Sequence, residues 1–124
     1  MNSIREQILN NRLELPVIRD LQVTEPIQAM FRAMWHNYIA KGATEPTSMT
    51  YWAQRIANPK LHNQVLRILS DAGWITVSTR PNNNWSEAYL NESKLLTYCT
   101  KAELDRTRMF YKFSKYMLTL HHDD

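Results

Sequence analysis

The stretch that decides the fold is TYWAQRIANPKLHNQVLRILSDAGWI, residues 50–75, followed directly by TVSTRPNNNWSEAYLN, residues 76–91. The first part predicts two short helices that end at Gly73, because glycine favours the residue that follows a helix. Aromatic and β-branched residues dominate the second part and predict two short strands. The Asn-rich tip from Pro81 to Asn84 predicts the turn between them. The expected order is helix, helix, hairpin.

The helix pair has two expected starting points. Thr47 or Ser48 is expected to cap the first of the two helices, the third in the chain. Asn58 with Pro59 predicts the start of the fourth helix, which runs to about Ala72. The expected buried side of the third helix is Trp52, Ala53 and Ile56.

The fourth helix has two chemically different faces at about 100° per residue. Its expected core side comprises Leu61, Val65, Ile68, Leu69 and Ala72, with Leu66 at the margin. On the opposite side lie Lys60, Asn63 and Arg67, with Gln64 flanking them. These residue types can donate to phosphate or read base edges, although any surface helix has a polar face and such a face alone favours DNA only weakly.

Upstream, residues 3–13 predict a first helix behind a Ser3 cap. Thr24, Glu25 and Pro26 predict the start of a second helix that ends at Gly42. Its expected core face is Ile27, Met30, Phe31, Met34, Tyr38 and Ile39.

Downstream, Thr100 and Glu103 match a capping box and predict a last helix over residues 100–120. Its apolar side is Leu104, Phe110, Phe113, Met117 and Leu120, interleaved with cations. Packing in the core is the simpler interpretation of the phenylalanines. The alternative is an interface for a partner or a second copy, formed by Phe110, Phe113, Met117 and Leu120, and a homodimer joined by the first and last helices is one hypothesis.

Composition limits the class of protein. The 124 residues, 44% of them hydrophobic, predict a single domain over residues 1–124. A formal charge of +3 permits anionic partners without requiring them. The single cysteine, Cys99, excludes an intrachain disulfide and is expected to be buried. We find no secretory signal or membrane span in the sequence and expect a soluble, cytoplasmic protein.

Catalytic and metal-binding patterns are absent from the sequence. The only glycines are the two at helix ends, so no phosphate-binding loop is expected. His121 and His122 precede two aspartates, but neighbouring side chains on a helix diverge, which argues against a metal site there. His36 and His62 are isolated and are expected at packing margins. We therefore expect neither a cofactor nor an enzyme.

The helix pair with its closing Gly73-Trp74-Ile75 and the hairpin resembles the winged helix-turn-helix family over residues 25–91. The resemblance implies a mainly α fold with a small antiparallel β-hairpin and extra N-terminal and C-terminal helices. It implies double-stranded DNA as the partner, bound in the major groove by the four polar residues of the fourth helix. Arg80, Asn82 and Asn83 would contact the backbone or the minor groove, and Thr47, Ser48 and Thr50 could donate to phosphate. The simpler interpretations are that these hydroxyls cap a helix and that Asn82 and Asn83 shape the turn.

Two functions are compatible with this resemblance. The first is sequence-specific DNA binding in transcription regulation or replication control. The second is a winged-helix adaptor that binds another protein of a replication or transcription complex through its aromatic and basic last helix, because the family also supplies protein-binding modules.

Overall fold

A computed structural model describes residues 3–15, 23–56, 58–79 and 86–122; the side chains of Pro59, Thr79, Ser86 and residues 116–122 are outside the description. The described part is mostly helical with a small three-stranded antiparallel sheet, which confirms an α+β fold. Its elements are α1 Ile4–Leu9, α2 Glu25–Lys41, β1 Thr47–Ser48, α3 Thr50–Arg55, α4 Pro59–Asp71, β2 Ile75–Thr79, β3 Ser86–Leu90, α5 Glu92–Leu95 and α6 Lys101–His122. No helix of these residues is both long and apolar enough to cross a membrane.

Helix α2 supplies much of the core. All six residues of its expected core face are buried, and Trp35, which the periodicity did not single out, is buried with them. The Trp35 indole N–H donates to the Asn11 side chain at 2.8 Å, which ties α2 to the segment after α1. Gly42 follows α2 with φ +96°, a conformation that glycine adopts without a Cβ penalty.

Helix α1 is shorter than predicted. Ser3 caps it as expected, accepting from the Glu6 amide at 3.2 Å. The helix ends at Leu9 because Asn11 adopts a left-handed φ of +56°, which a helix cannot continue through. Leu13 is nevertheless buried, because the chain folds back over the core after that turn.

The sheet has the order β1-β3-β2, with antiparallel pairing throughout. The β2–β3 hairpin matches the prediction and pairs Ile75 with Leu90. Strand β1 was not predicted: Thr47 pairs with Ala88 and Ser48 with Glu87. A strand of two residues is too short to show a period of two, so only its tertiary partner reveals it.

The expected cap and buried side of α3 are wrong in part. Met49, without a side-chain cap, precedes the helix, since Thr47 and Ser48 belong to β1. Ala53 is exposed and Trp52 half-buried, whereas Ile56, just after the helix, is buried as expected. The helix is too short for its periodicity to fix one face.

Helix α4 begins and ends as expected. The Asn58 side-chain oxygen accepts from the Lys60 amide at 3.0 Å and from the Leu61 amide at 3.4 Å. Gly73 follows the helix with φ +82°. Its buried face is centred differently from the prediction, because Leu66 is buried and Ala72 is exposed.

The C-terminal elements close the domain over α1 and α2. The predicted capping box of α6 is confirmed: the Thr100 amide donates to the Glu103 carboxylate at 3.0 Å, and the Glu103 amide to the Thr100 hydroxyl at 3.1 Å. The short helix α5 was not predicted. Its Glu92 accepts a 2.8 Å hydrogen bond from the Tyr38 hydroxyl, which fixes α5 against α2. Burial, followed by this carboxylate, raises the pKa of Tyr38.

Candidate nucleic-acid interface

The outer face of α4 presents the predicted polar residues to solvent. Lys60, Asn63, Gln64 and Arg67 are all exposed, and we call them the polar row. The side chain of Arg67 is 85% exposed. At about 1.5 Å per residue the row runs about 10 Å along the helix axis, and the roughly 12 Å wide major groove of DNA admits the diameter of a helix. The chemistry of the row therefore suits a groove-reading helix.

Because the inner face of α4 packs in the core, the polar row faces solvent. Val65 and Leu69 are fully buried, and the helix packs against α3 and β2. His62 is 5% exposed and belongs to this inner face, so its expected place at a packing margin is wrong. Burial lowers the pKa of His62. Its Nε2 atom has no hydrogen-bond partner in the described part of the chain, and a neutral ring is the form that this environment favours.

The sequence segment that contains α4 carries more cations than acids. Residues 46–86 contain four cations, Arg55, Lys60, Arg67 and Arg80, and one acid, Asp71. The rest of the chain contains eleven cations and eleven acids, so the whole net charge of +3 lies in this window. The Asp71 Oδ2 atom lies 3.9 Å from the Arg67 Nε atom. Both side chains are highly exposed, so this ion pair is weak. Glu45 and Glu87 border this window, and with them its net charge is +1, so the charge distribution permits an anionic partner without requiring one.

Two exposed residues of α3 extend the interface, and the sequence reasoning missed them. Arg55 donates to the Tyr51 hydroxyl at 2.8 Å, and its guanidinium lies 5.8 Å from the centre of the Tyr51 ring. Tyr51 is 55% exposed. Their spacing of four residues on a helix is the signal that would have paired them. Both groups can donate to phosphate, and α3 packs directly against α4.

The remaining predicted DNA contacts fall in three environments. Ser48 is exposed on β1, and Thr47 is half-buried beside it. The Thr50 hydroxyl is buried without a hydrogen-bond partner among the described residues, so it does not face solvent. The predicted contacts at the tip of the hairpin, Arg80, Asn82 and Asn83, lie outside the described residues.

The predicted partner surface on α6 is open in the single chain. Phe110 is 64% exposed and Phe113 60% exposed, so the simpler interpretation, in which they pack in the core, is wrong, and the interface stays a prediction. Phe110 borders a groove that Asn10 and Asn11 also line. The side chains of Met117 and Leu120 are outside the description.

Metal-binding and nucleophilic groups do not converge in the described part of the chain. No three histidine, cysteine or acidic side chains there are close enough to hold a metal ion. Cys99 is buried as expected, and its thiol donates to the Leu95 carbonyl at 3.4 Å. Burial raises the pKa of this thiol, which keeps it protonated. Comparison with protein-family models, with curated proteins and with solved structures found no match.

Proposed function

We propose that the chain is a duplex-DNA-binding protein of winged-helix type, which reads sequence through α4 and acts in transcription regulation or replication control. The order α2, β1, α3, α4, β2, β3 with the sheet order β1-β3-β2 supports this proposal, because winged-helix domains share it. In such a domain α4 is the helix that enters the major groove, and the β2–β3 hairpin is the wing.

The observation that carries the proposal is the polar row, whose four residues are exposed together on the outer face of α4. In the proposed complex Arg67 donates to guanine, and Asn63 and Gln64 pair with adenine edges. Lys60 lies at the start of α4 and contacts phosphate. Phosphate contacts position the protein, and base contacts supply specificity.

The flanking elements position the polar row on the duplex. Ser48 on β1 and the Tyr51–Arg55 pair on α3 donate to the DNA backbone. The hairpin, through Arg80, Asn82 and Asn83, contacts the backbone or the minor groove beside the major-groove helix. Thr50 has only a structural role and makes no contact with DNA, because its hydroxyl is buried.

Selection of bound fragments from a random duplex library tests the proposal. We expect an enriched motif, and affinity for that motif that falls steeply with salt. Arg67→Ala should cost about 1–3 kcal/mol and relax the motif at one position, whereas Lys60→Ala should lower affinity for all sequences and reduce the salt slope by about one.

Arg12→Ala is the matched control, because it removes an exposed cation from the part of the chain with no net charge. It should leave affinity and motif unchanged. Equal affinities of wild type, Arg67→Ala and Lys60→Ala would remove the polar row from the interface. Retention of random duplex without an enriched motif would leave DNA binding but overturn sequence reading.

The competing function is a winged-helix adaptor that binds a protein of a replication or transcription complex through α6. The exposed Phe110 and Phe113 are the observation in its favour. A partner retained on the protein after nuclease treatment, together with no binding of any duplex at low salt, would decide for the adaptor.

A further inference from the structure

Helix α6 has two apolar faces, and the fold of one chain uses only one of them. The inner face, with Leu104 and Thr107 buried and Tyr111 half-buried, packs on α1 and α2. The outer stripe, defined as Met109, Phe110 and Phe113, is 60–70% exposed. At about 100° per residue the two faces lie on opposite sides of the helix. A stripe of large apolar side chains in water marks an interaction site.

Residues 112–122 form the C-terminal half of α6, here called its extension, and its described side chains are not covered by the chain. The four consecutive residues 112–115 are all exposed, and together they point in directions spread around most of the helix circumference. The helix nevertheless continues to His122. An isolated helical segment of this length is marginal in water, so packing against another surface is needed to stabilise it.

The spacing of the apolar residues on this extension and the turn before it suits a second helix. Phe110, Phe113, Met117 and Leu120 are separated by three, four and three residues, the spacing of a coiled-coil seam. The positions that flank such a seam hold Met109, Ser114, Tyr116 and His121. None of these is an acid, a lysine or an arginine, so no pair of like full charges faces an identical helix there.

We propose that the outer stripe is covered by a second copy of this chain, with the two α6 helices antiparallel. Arg106 decides the orientation, because it lies four residues before Phe110 on the same stripe and is exposed. A parallel pair would place two Arg106 side chains opposite each other. An antiparallel pair places each beside the C-terminal end of the other helix, which carries partial negative charge.

The outer stripe supplies about half to two thirds of the area that a small stable interface needs. A large aromatic side chain buries roughly 150–250 Å², so the outer stripe offers on the order of 300–400 Å² per copy. Two copies bury roughly 600–800 Å² there, and the exposed neighbours Arg106 and Ser114 add to this area, toward the roughly 1,200 Å² of a small stable interface. A groove of about 280 Å³ between Asn11 and Phe110 adjoins the stripe and can receive a side chain of the other copy.

The molecular mass of the protein in solution tests whether two copies associate. By light scattering at tens of micromolar, the wild type should have twice its chain mass of 14.7 kDa. Phe113→Asp should raise the dissociation constant of the dimer by roughly 100-fold or more, as for an aromatic anchor at the centre of an interface. Lys112→Asp introduces the same residue on the neighbouring, exposed position outside the stripe and should remain dimeric.

The helical circular dichroism of Phe113→Asp, recorded at the same concentration, separates loss of the pair from loss of the fold, since Phe113 is exposed within one chain. A monomeric wild type, or an unchanged dimer in Phe113→Asp, would overturn the inference. A monomer that binds a different protein through the stripe would overturn it as well.

Engineered cysteines test the orientation, in a Cys99→Ala background. In an antiparallel pair Phe110→Cys combined with Leu120→Cys should cross-link the two copies, and Phe110→Cys alone should not, because disulfides need Cα atoms within about 7 Å. Cross-linking of the single variant would instead show a parallel pair. The result is independent of DNA binding, because neither substitution touches α4.

Discussion

The outer faces of α4 and α6 differ in chemistry, although both helices bury their inner face in the same core. The polar row of α4 is satisfied by water, so its exposure costs nothing, and its residue types are what indicate a ligand. The outer stripe of α6 is apolar, and exposure of each Å² costs about 25 cal/mol. Exposure itself therefore argues for a partner on α6, whereas on α4 only the row's residue types do.

The largest expected effect is on stability, and it distinguishes substitutions on the inner faces of α4 and α6 from substitutions on their outer faces. Leu69→Ala on α4 and Leu104→Ala on α6 should each lower the free energy of unfolding by about 2–5 kcal/mol, because both side chains are fully buried and leave cavities. Urea titration followed by circular dichroism measures the change.

The matched control for these truncations is Gln64→Ala in the polar row. Its side chain is exposed, and the free energy of unfolding should change by no more than about 0.5 kcal/mol. A loss for Gln64→Ala as large as that for Leu69→Ala would mean that the polar row packs against its own chain, and the comparison between the helices would break.

A smaller effect is expected at the start of α4. Asn58→Ala removes the cap of the Lys60 and Leu61 amides and should cost about 1 kcal/mol of stability. Gln64→Ala, at an exposed position on the same helix, should cost little in urea titration. If the two variants were equally stable, the cap would not hold the start of the helix that carries the polar row.

The inner face of α4 should also make stability depend on pH. Burial lowers the pKa of His62 below its ordinary value of 6.5, so the folded chain binds this proton less readily than the unfolded chain. The contribution to stability is complete above 6.5 and is lost as pH falls through the lower, folded pKa.

His62→Gln should flatten the decline of unfolding free energy between neutral and mildly acidic pH, measured by urea titration at several pH values. His36→Gln, at an exposed histidine, should keep the wild-type decline. An unchanged decline in His62→Gln would show that another group causes the acid sensitivity.

The smallest effect concerns Asp71, the acid that lies 3.9 Å from Arg67. Asp71→Asn removes the weak partner of Arg67 and should raise affinity for duplex DNA by less than about tenfold, since exposed ion pairs contribute about 0–1 kcal/mol. Fluorescence anisotropy at low salt measures this increase. Glu14→Gln, an exposed acid outside residues 46–86, should have no effect, and a decrease for Asp71→Asn would argue against an anionic ligand.

Local signals in the sequence predicted many element boundaries correctly. Asn58, Gly73 and the Thr100–Glu103 box act within one turn of chain, so the residues that form each cap are also neighbours in sequence. Strand β1 and the end of α1 were missed. Their causes, pairing with β3 and the left-handed Asn11, leave no periodic pattern to read.

The sequence also determined which residues of α4 form the polar row, because the helical period alone separates them from the apolar side. It left the environment of three other residues open. Only the tertiary structure decided that His62 is buried, that the Thr50 hydroxyl is enclosed and that Phe113 is exposed. Whether a side chain is covered depends on what other elements bring to it across the fold, and that information is distributed over the whole chain.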